Sequence, residues 1–307
     1  MLCEVRGHRR LRARPQRRTG RWPRARHGHG HRERRRRLRP DPVVHRLGGN
    51  ARRDHAGDPV AANTAPPPPA STAVAFFTSL GSACAAVGRL VTESSPPSML
   101  EFLDRASVDI VRSHRELGFP DDAEAMLLLQ YDDHYDSDRA DPMTRAAGIA
   151  GEHGAEIIVA DTPAEAHTLH EARRSLGVAT ERLGASLIED VCVPRRALGA
   201  FVEGVAAIGN RHHVRTACAG HAGDGNMHPK IIFDATDPDD VSRAREAFDA
   251  VMRLGLDLGG TITGEHGVGL LKRDWLRTEL GPVSMELHRG IKQLFDPHGI
   301  LNPGKVL

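Results

Sequence analysis

An α+β fold, with an antiparallel sheet covered by helices, is what residues 72–307 predict, and three observations carry that reading. Short apolar runs of strand length alternate with amphipathic helical stretches from Val74 onward. Helix start and stop residues, among them Pro163, Asp237 and Gly259-Gly260, stand where the periodicity changes. Before residue 72 the periodicity is missing altogether, so the folded part has a visible edge.

The elements follow in order. Val74–Thr78 reads as a strand, Ser82–Thr92 as a helix and Met99–Leu103 as a second strand. Ser107–Leu117 carries Val108, Val111 and Leu117 at helical spacing, and Met126–Tyr131 is a third strand. A helix over Met143–His153 is closed by Gly154, and Glu156–Ala160 is a further strand. Strands alternating with helices in this way predict a split, ferredoxin-like βαβ unit, single or doubled. A long helix from Pro163 to Leu183 comes next, with proline at a favoured first position. A strand over Ser186–Val193, a helix over Pro194–Ile208 and a strand over Val214–Ala219 follow. Asp237 caps one more helix, whose Val241, Ala244, Phe248 and Val251 share a face.

Charge divides the chain at the same edge. Residues 1–58 hold 19 Arg, no Lys and 5 acids, a net of +14, while the whole chain is +2. Residues 59–307 are therefore at −12, which argues against nucleic acid as a partner of the folded part. The arginine-rich stretch has too little apolar surface to offset its chain entropy, so residues 1–71 are expected to be a disordered basic segment ending in the stiff linker Pro66–Pro69. An arm for anionic surfaces and an out-of-frame translation of GC-rich DNA both match arginine without lysine. Cys3, Cys84, Cys192 and Cys218 show neither C-x-x-C spacing nor disulfide-framework density, which fits a reducing, cytoplasmic setting. No run of 18 apolar residues occurs.

Chemistry concentrates in two places. His221 to Pro229 reads H-A-G-D-G-N-M-H-P, with glycines at 223 and 225 that forbid a stable helix. Either the chain folds back there and brings both imidazoles to one point, or this is an Asp-Gly turn between strands with incidental histidines. The second place is Thr261-Ile-Thr-Gly-Glu265-His266-Gly267. Two histidines and one carboxylate are the smallest set for a zinc-type site with open positions, so His221, His228 and Glu265 are candidate ligands. From an extended backbone, adjacent residues do not both point at one ion, which leaves His266 as a base. Gly151-Glu152-His153-Gly154 repeats the tetrapeptide at the end of an ordinary amphipathic helix, and there a solvated pair with a glycine cap is expected.

With these motifs in hand, residues 72–307 resemble the C-terminal, or cap, domain of the FAD-linked oxidases. That family includes D-lactate, glycolate and D-2-hydroxyglutarate dehydrogenases of the vanillyl-alcohol-oxidase flavoprotein class. The likeness rests on His221–Pro229, Gly260–Gly269 and Phe295–Lys305, in that order, and on Asp190-Val-Cys-Val-Pro194. It implies a substrate R-CH(OH)-COO⁻ oxidised to the 2-oxo acid with FAD as hydride acceptor. It implies a divalent metal, zinc, on His221, His228 and Glu265, with His266 as general base. Arg173 would pair with the substrate carboxylate, Asn226 would hydrogen-bond the substrate, and Asn302 and Lys305 would lie near the flavin. The electron acceptor would be a quinone or a cytochrome, with the enzyme cytoplasmic or peripheral at the inner face of a membrane.

Two departures shape the expectation. Residues 1–71 have no glycine-rich phosphate loop between a strand and a helix, so FAD would be bound mainly by a domain outside this chain, such as a separate FAD-binding chain. Ile188 stands where members that take larger dicarboxylates can carry lysine, which favours D-lactate or glycolate. Two other functions compete: an inactive remnant or binding module for metal and a 2-hydroxy acid, and a metal-dependent hydrolase with His266 as base.

Overall fold

A computed structural model of the chain describes residues 70–132 and 141–307. The basic segment and linker expected over residues 1–71 lie outside the described residues, apart from Ala70 and Ser71. Ser71 already pairs with Tyr131 in the first strand.

The first half of the fold runs β1 (Ser71–Phe77), α1 (Leu80–Leu90), β2 (Met99–Asp104), α2 (Arg105–His114), β3 (Ala125–Tyr131), α3 (Pro142–Glu152) and β4 (Glu156–Val159). These helices start on caps that the sequence supplies. Ser79 accepts from the Ser82 N–H, Asp104 from Ser107, and Asp141 from Met143 and Thr144. The strands lie in the order β4-β1-β3-β2 and pair antiparallel throughout. This is the split βαβ order that the alternation predicts.

After α4 (Pro163–Glu181) the pattern recurs. It consists of β5 (Ala185–Ile188), β6 (Val191–Cys192), α5 (Leu198–His212), β7 (Arg215–His221), β8 (Asn226–Phe233) and α6 (Pro238–Asp257). Here β7, β8 and the β5/β6 pair lie side by side, and a fourth strand is reduced to a bridge between Cys192 and Thr261. The ferredoxin-like unit is therefore doubled. The two halves share one sheet, joined where β2 pairs with β7, with Glu101 opposite His221 and Leu103 opposite Ala219.

The single strand expected over Ser186–Val193 is in two pieces held in one register on β8. The break falls opposite His228 and Pro229, and Pro229 has no N–H to offer a ladder. The helix expected from Pro194 opens as a 3₁₀ turn at Arg195–Ala197. A last helix, α7 (Arg273–Phe295), is not among the elements read from the sequence; it is kinked at Gly281-Pro282, where Gly281 has φ 70°.

Each face of the sheet has its own core. One packs α1, α3, α5 and α6 around Phe77, Phe102, Phe201 and Met227. The other packs α2 and α4 around Val108, Val111, Leu176, Leu103 and Ala219. Side chains alternate along a strand, so Glu101 shares the second face with Leu103, two residues on. Register then puts His221 and His228 on that face as well. The candidate residues Glu101, His221 and His228 stand at the seam between the two halves, beside Arg173 of α4.

Candidate metal and substrate site

The hairpin β7–β8 carries both histidines. His221 is the last residue of β7 and pairs with Asn226, while His228 pairs with Ala219, so the rings are diagonal neighbours on one face. Their centroids are 5.2 Å apart at 87°. The turn between them needs Gly225, whose φ is 82° and whose missing Cβ would run into the Val193 carbonyl. The two readings of this stretch are thus compatible: it is an Asp-Gly turn, and the turn brings the histidines together.

The third component arrives from the loop after α6. Its start is tied to β6, with Thr261 N donating to Cys192 O at 2.8 Å and Cys192 N to Thr261 O at 3.1 Å. Its middle wraps around the Asp190 carboxylate, which is fully buried. Asp190 accepts from Thr263 Oγ1 at 2.6 Å and from the backbone N–H groups of Gly264 at 2.8 Å, Glu265 at 3.0 Å and His266 at 2.8 Å. Burial pushes this carboxyl up, but those donors and the Lys272 charge outweigh it and hold the group below the usual range. The loop's far end is clamped by Lys272, whose Nζ donates to Ile262 O at 2.9 Å and Asp190 O at 3.2 Å. Gly264 passes so close to Asn226 that a Cβ there would collide with the amide.

This places Glu265 Oε1 3.3 Å from His221 Nε2 and 3.1 Å from His228 Nε2. Donors bonded to a tetrahedral zinc at about 2.0–2.1 Å lie about 3.3 Å apart, so the trio is spaced to share one ion. The other ring nitrogens support that use. His228 Nδ1 faces the Glu189 carbonyl at 3.3 Å, and His221 Nδ1 is hydrogen-bonded to the Glu101 carboxylate. Both partners can only accept, so each Nδ1 carries the proton and each Nε2 lone pair turns to the shared point. Burial, then the neighbouring His221 and His266, hold His228 below the usual histidine range, as a neutral ligand needs. The hydrogen bond to Glu101 takes His221 the other way, up to about 9, against the opposing effect of burial, so an ion at Nε2 would displace a proton from that nitrogen. The donor set fits a divalent metal.

Glu265 and His266 do not diverge as an extended backbone would make them. The loop is turned about Asp190, so the His266 ring stacks on His228 with centroids 4.8 Å apart at 13°. Its Nε2 comes to 3.7 Å from Glu265 Oε1. Half of the His266 side chain stays exposed beside the ligand trio. Asp190, His228 and His266 form a second, overlapping group of ligand atoms.

Arg173 reaches the same face from α4, and its Nε donates to Glu101 Oε2 at 2.8 Å. Asn226 is buried and its Oδ1 has no hydrogen-bond partner, an orphan acceptor next to the trio. Asn302 and Lys305 are not among the grouped ligand atoms of the described residues. They are exposed in the tail after α7, where Lys305 N donates to Asn302 O at 3.3 Å. Among the described residues no strand–glycine-rich loop–helix unit of the kind that cradles a pyrophosphate occurs.

Three participants are missing from the sequence reading as site residues. Glu101 sits alone among apolar neighbours in Met99-Leu-Glu-Phe-Leu103, and a carboxylate in a buried strand is a signal that needs a partner. Asp190 and Glu189 are adjacent acids where a strand was expected, another such signal. Glu189 is fully buried with Lys272 Nζ at 3.8 Å and no hydrogen bond to either oxygen, and burial pushes it up to about 7.

A family model described as FAD linked oxidases, C-terminal domain, matches residues 66–306. The chain is 35% identical over 241 residues to glycolate oxidase subunit GlcD of Escherichia coli (strain K12), covering 78% of this chain and 48% of that protein. It is 34% identical over 237 residues to glycolate oxidase subunit GlcD of Bacillus subtilis (strain 168), covering 76% and 50%. A probable mitochondrial D-lactate dehydrogenase of Danio rerio is 30% identical over 239 residues, covering 77% and 48%. The chain spans about half the length of these relatives. Among solved structures, p-cresol methylhydroxylase with substrate bound matches with a TM-score of 0.61 over 78% of this chain and 53% of that one. At 14% identity that is a likeness of fold.

Proposed function

The chain belongs to the FAD-linked oxidases through their C-terminal domain, and from that premise we propose that residues 72–307 are the substrate- and metal-holding half of an FAD-dependent 2-hydroxy-acid dehydrogenase. One observation carries the reading: two imidazole Nε2 atoms meet one carboxylate oxygen at ligand spacing, with both Nδ1 atoms committed elsewhere. The substrate we infer is D-lactate or glycolate. Relatives are named for those two acids, and the apolar Ile188 agrees with a small side chain.

In this reading His221, His228 and Glu265 hold the ion, zinc by the character of the donors. A metal there supplies Lewis acidity toward the substrate's oxygens. Arg173 pairs with the substrate carboxylate through the guanidinium edge that Glu101 leaves open, and the orphan Oδ1 of Asn226 accepts from the substrate hydroxyl before it is deprotonated. His266 Nε2 would take the proton of that hydroxyl, and FAD, when bound, would supply the hydride acceptor that oxidation at C2 requires. Asn302 and Lys305 would border the flavin. Support for an FAD-binding partner at that end comes from α7, where Val283, Leu287, Ile291 and Leu294 form an exposed apolar stripe at helical spacing, 39–77% exposed.

Calorimetric titration of the full chain tests the reading. It should take up one zinc ion per chain and then bind glycolate or D-lactate, with the acid binding only the metal-loaded protein. Absence of stoichiometric zinc, or equal binding of the acid without it, would overturn the proposal.

A further inference from the structure

Glu101 is the one group that touches both functions of the site. It lies on β2 across the seam between the two halves of the sheet, directly opposite His221. Its side chain is only 5% exposed, and both of its oxygens are used. Oε1 accepts from His221 Nδ1, and Oε2 accepts from Arg173 Nε at 2.8 Å. Both oxygens face donors, His221 Nδ1 on one side and Arg173 Nε on the other, so the carboxylate serves as acceptor to each. Among the described residues its side-chain hydrogen bonds run to these two groups and to no helix cap or turn. A buried carboxylate held at such a cost in desolvation has its return in the two groups it orients.

Its two contacts have distinct chemical results. Acceptance from Nδ1 fixes the tautomer of His221 and turns the Nε2 lone pair toward Glu265 and His228. Acceptance from Nε leaves both terminal nitrogens of Arg173 to face an anion in a fork. We propose that Glu101 is a positioning residue that sets His221 as a metal ligand and, with its second oxygen, aims Arg173 at the substrate carboxylate. The inference rests on the metal-site reading above and goes beyond it in assigning one residue of the first half-sheet to both the metal and the anion.

The test uses the full chain, with Co²⁺ as the metal probe and D-lactate as the anion. E101Q keeps the volume but has a single acceptor oxygen and no charge, so it cannot serve both partners. E101D keeps the charge but withdraws it by one methylene, so a common outcome for the two separates positioning from folding. Both should weaken Co²⁺ binding, read from the cobalt absorption band, by about 10–100-fold. Nitrogen NMR of the His221 ring should show the Nδ1–H tautomer lost or mixed in both variants. R173A should keep Co²⁺ affinity within about threefold and lose D-lactate binding, which shows the two arms to be separable. Wild-type-like cobalt affinity and an unchanged His221 tautomer in E101Q and E101D would overturn the positioning role while leaving the metal site intact. Failure of the unsubstituted chain to bind Co²⁺ would sink both the metal site and this inference.

Discussion

The chain contains Gly-Glu-His-Gly twice, and the two copies have different fates. At 151–154 the tetrapeptide ends α3. Glu152 is exposed, His153 is half-buried, and Gly154 takes φ 76° while the Ala155 N–H returns to Ala150 O, the ordinary closure of a helix. At 264–267 the same four residues are pinned around a buried carboxylate, and three of their N–H groups point at Asp190. Among the described residues the first Gly-Glu-His-Gly belongs to no group of ligand atoms at ion-binding distance; the second meets two histidines delivered by a hairpin. The difference teaches that the tetrapeptide is only a flexible carrier. What sets the second copy among candidate ligands is the buried anchor beneath, Asp190, and the partner strand opposite.

The comparison can be broken in several ways, and the largest effect should come from the ligands. H228A or E265A should abolish stoichiometric zinc, while H153A and E152A should leave it unchanged by atomic absorption. Equal losses at both copies would erase the distinction. Next in size is the anchor. D190N trades an acceptor oxygen for an amide that cannot receive the loop's N–H groups, and zinc affinity should fall by about 10–100-fold. T263A removes a donor to the same carboxylate and the acceptor used by the Gly267 N–H, and should cost about 1–2 kcal/mol of stability in denaturant melts. Removal of metal by a chelator should speed amide exchange over residues 261–269 and leave residues 150–155 unaffected. Smallest in its effect on the ligand trio, and confined to stability, is G154A in the other copy. It forces a left-handed conformation on alanine at about 1–2 kcal/mol, with zinc binding untouched.

Much of the fold is legible in the sequence because local patterns agree with it. The alternation from Val74 to Val159, the caps and the glycine stops all point to a split βαβ unit, and the pattern recurs after α4. Legibility fails where a local rule is broken for a tertiary reason. The strand around Glu189-Asp190 is interrupted because its neighbour is Pro229 and its side chains serve the loop from 261 onward. Helix α7 is obscured by an internal Gly281-Pro282 and by apolar residues on a face left open to solvent. The site follows the same division. His221, His228, Glu265 and His266 announce themselves as clustered ligands between glycines. Glu101 does not, because it lies 120 residues before His221 and only strand pairing makes them neighbours.

By itself, then, the sequence determined the class of fold, the family and the chemical types gathered at the site. Those are properties of periodicity and of short motifs, which survive without knowledge of long-range contacts. The tertiary structure alone decided that a buried Asp190 anchors the loop of the second tetrapeptide, that the adjacent Glu265 and His266 converge rather than diverge, and that one buried carboxylate holds both a candidate ligand and a candidate anion clamp. The physical reason is the same in each case. A hydrogen bond to a buried charge is set by which strand or loop lies opposite, and in a β-sheet that neighbour is chosen by register across the whole chain.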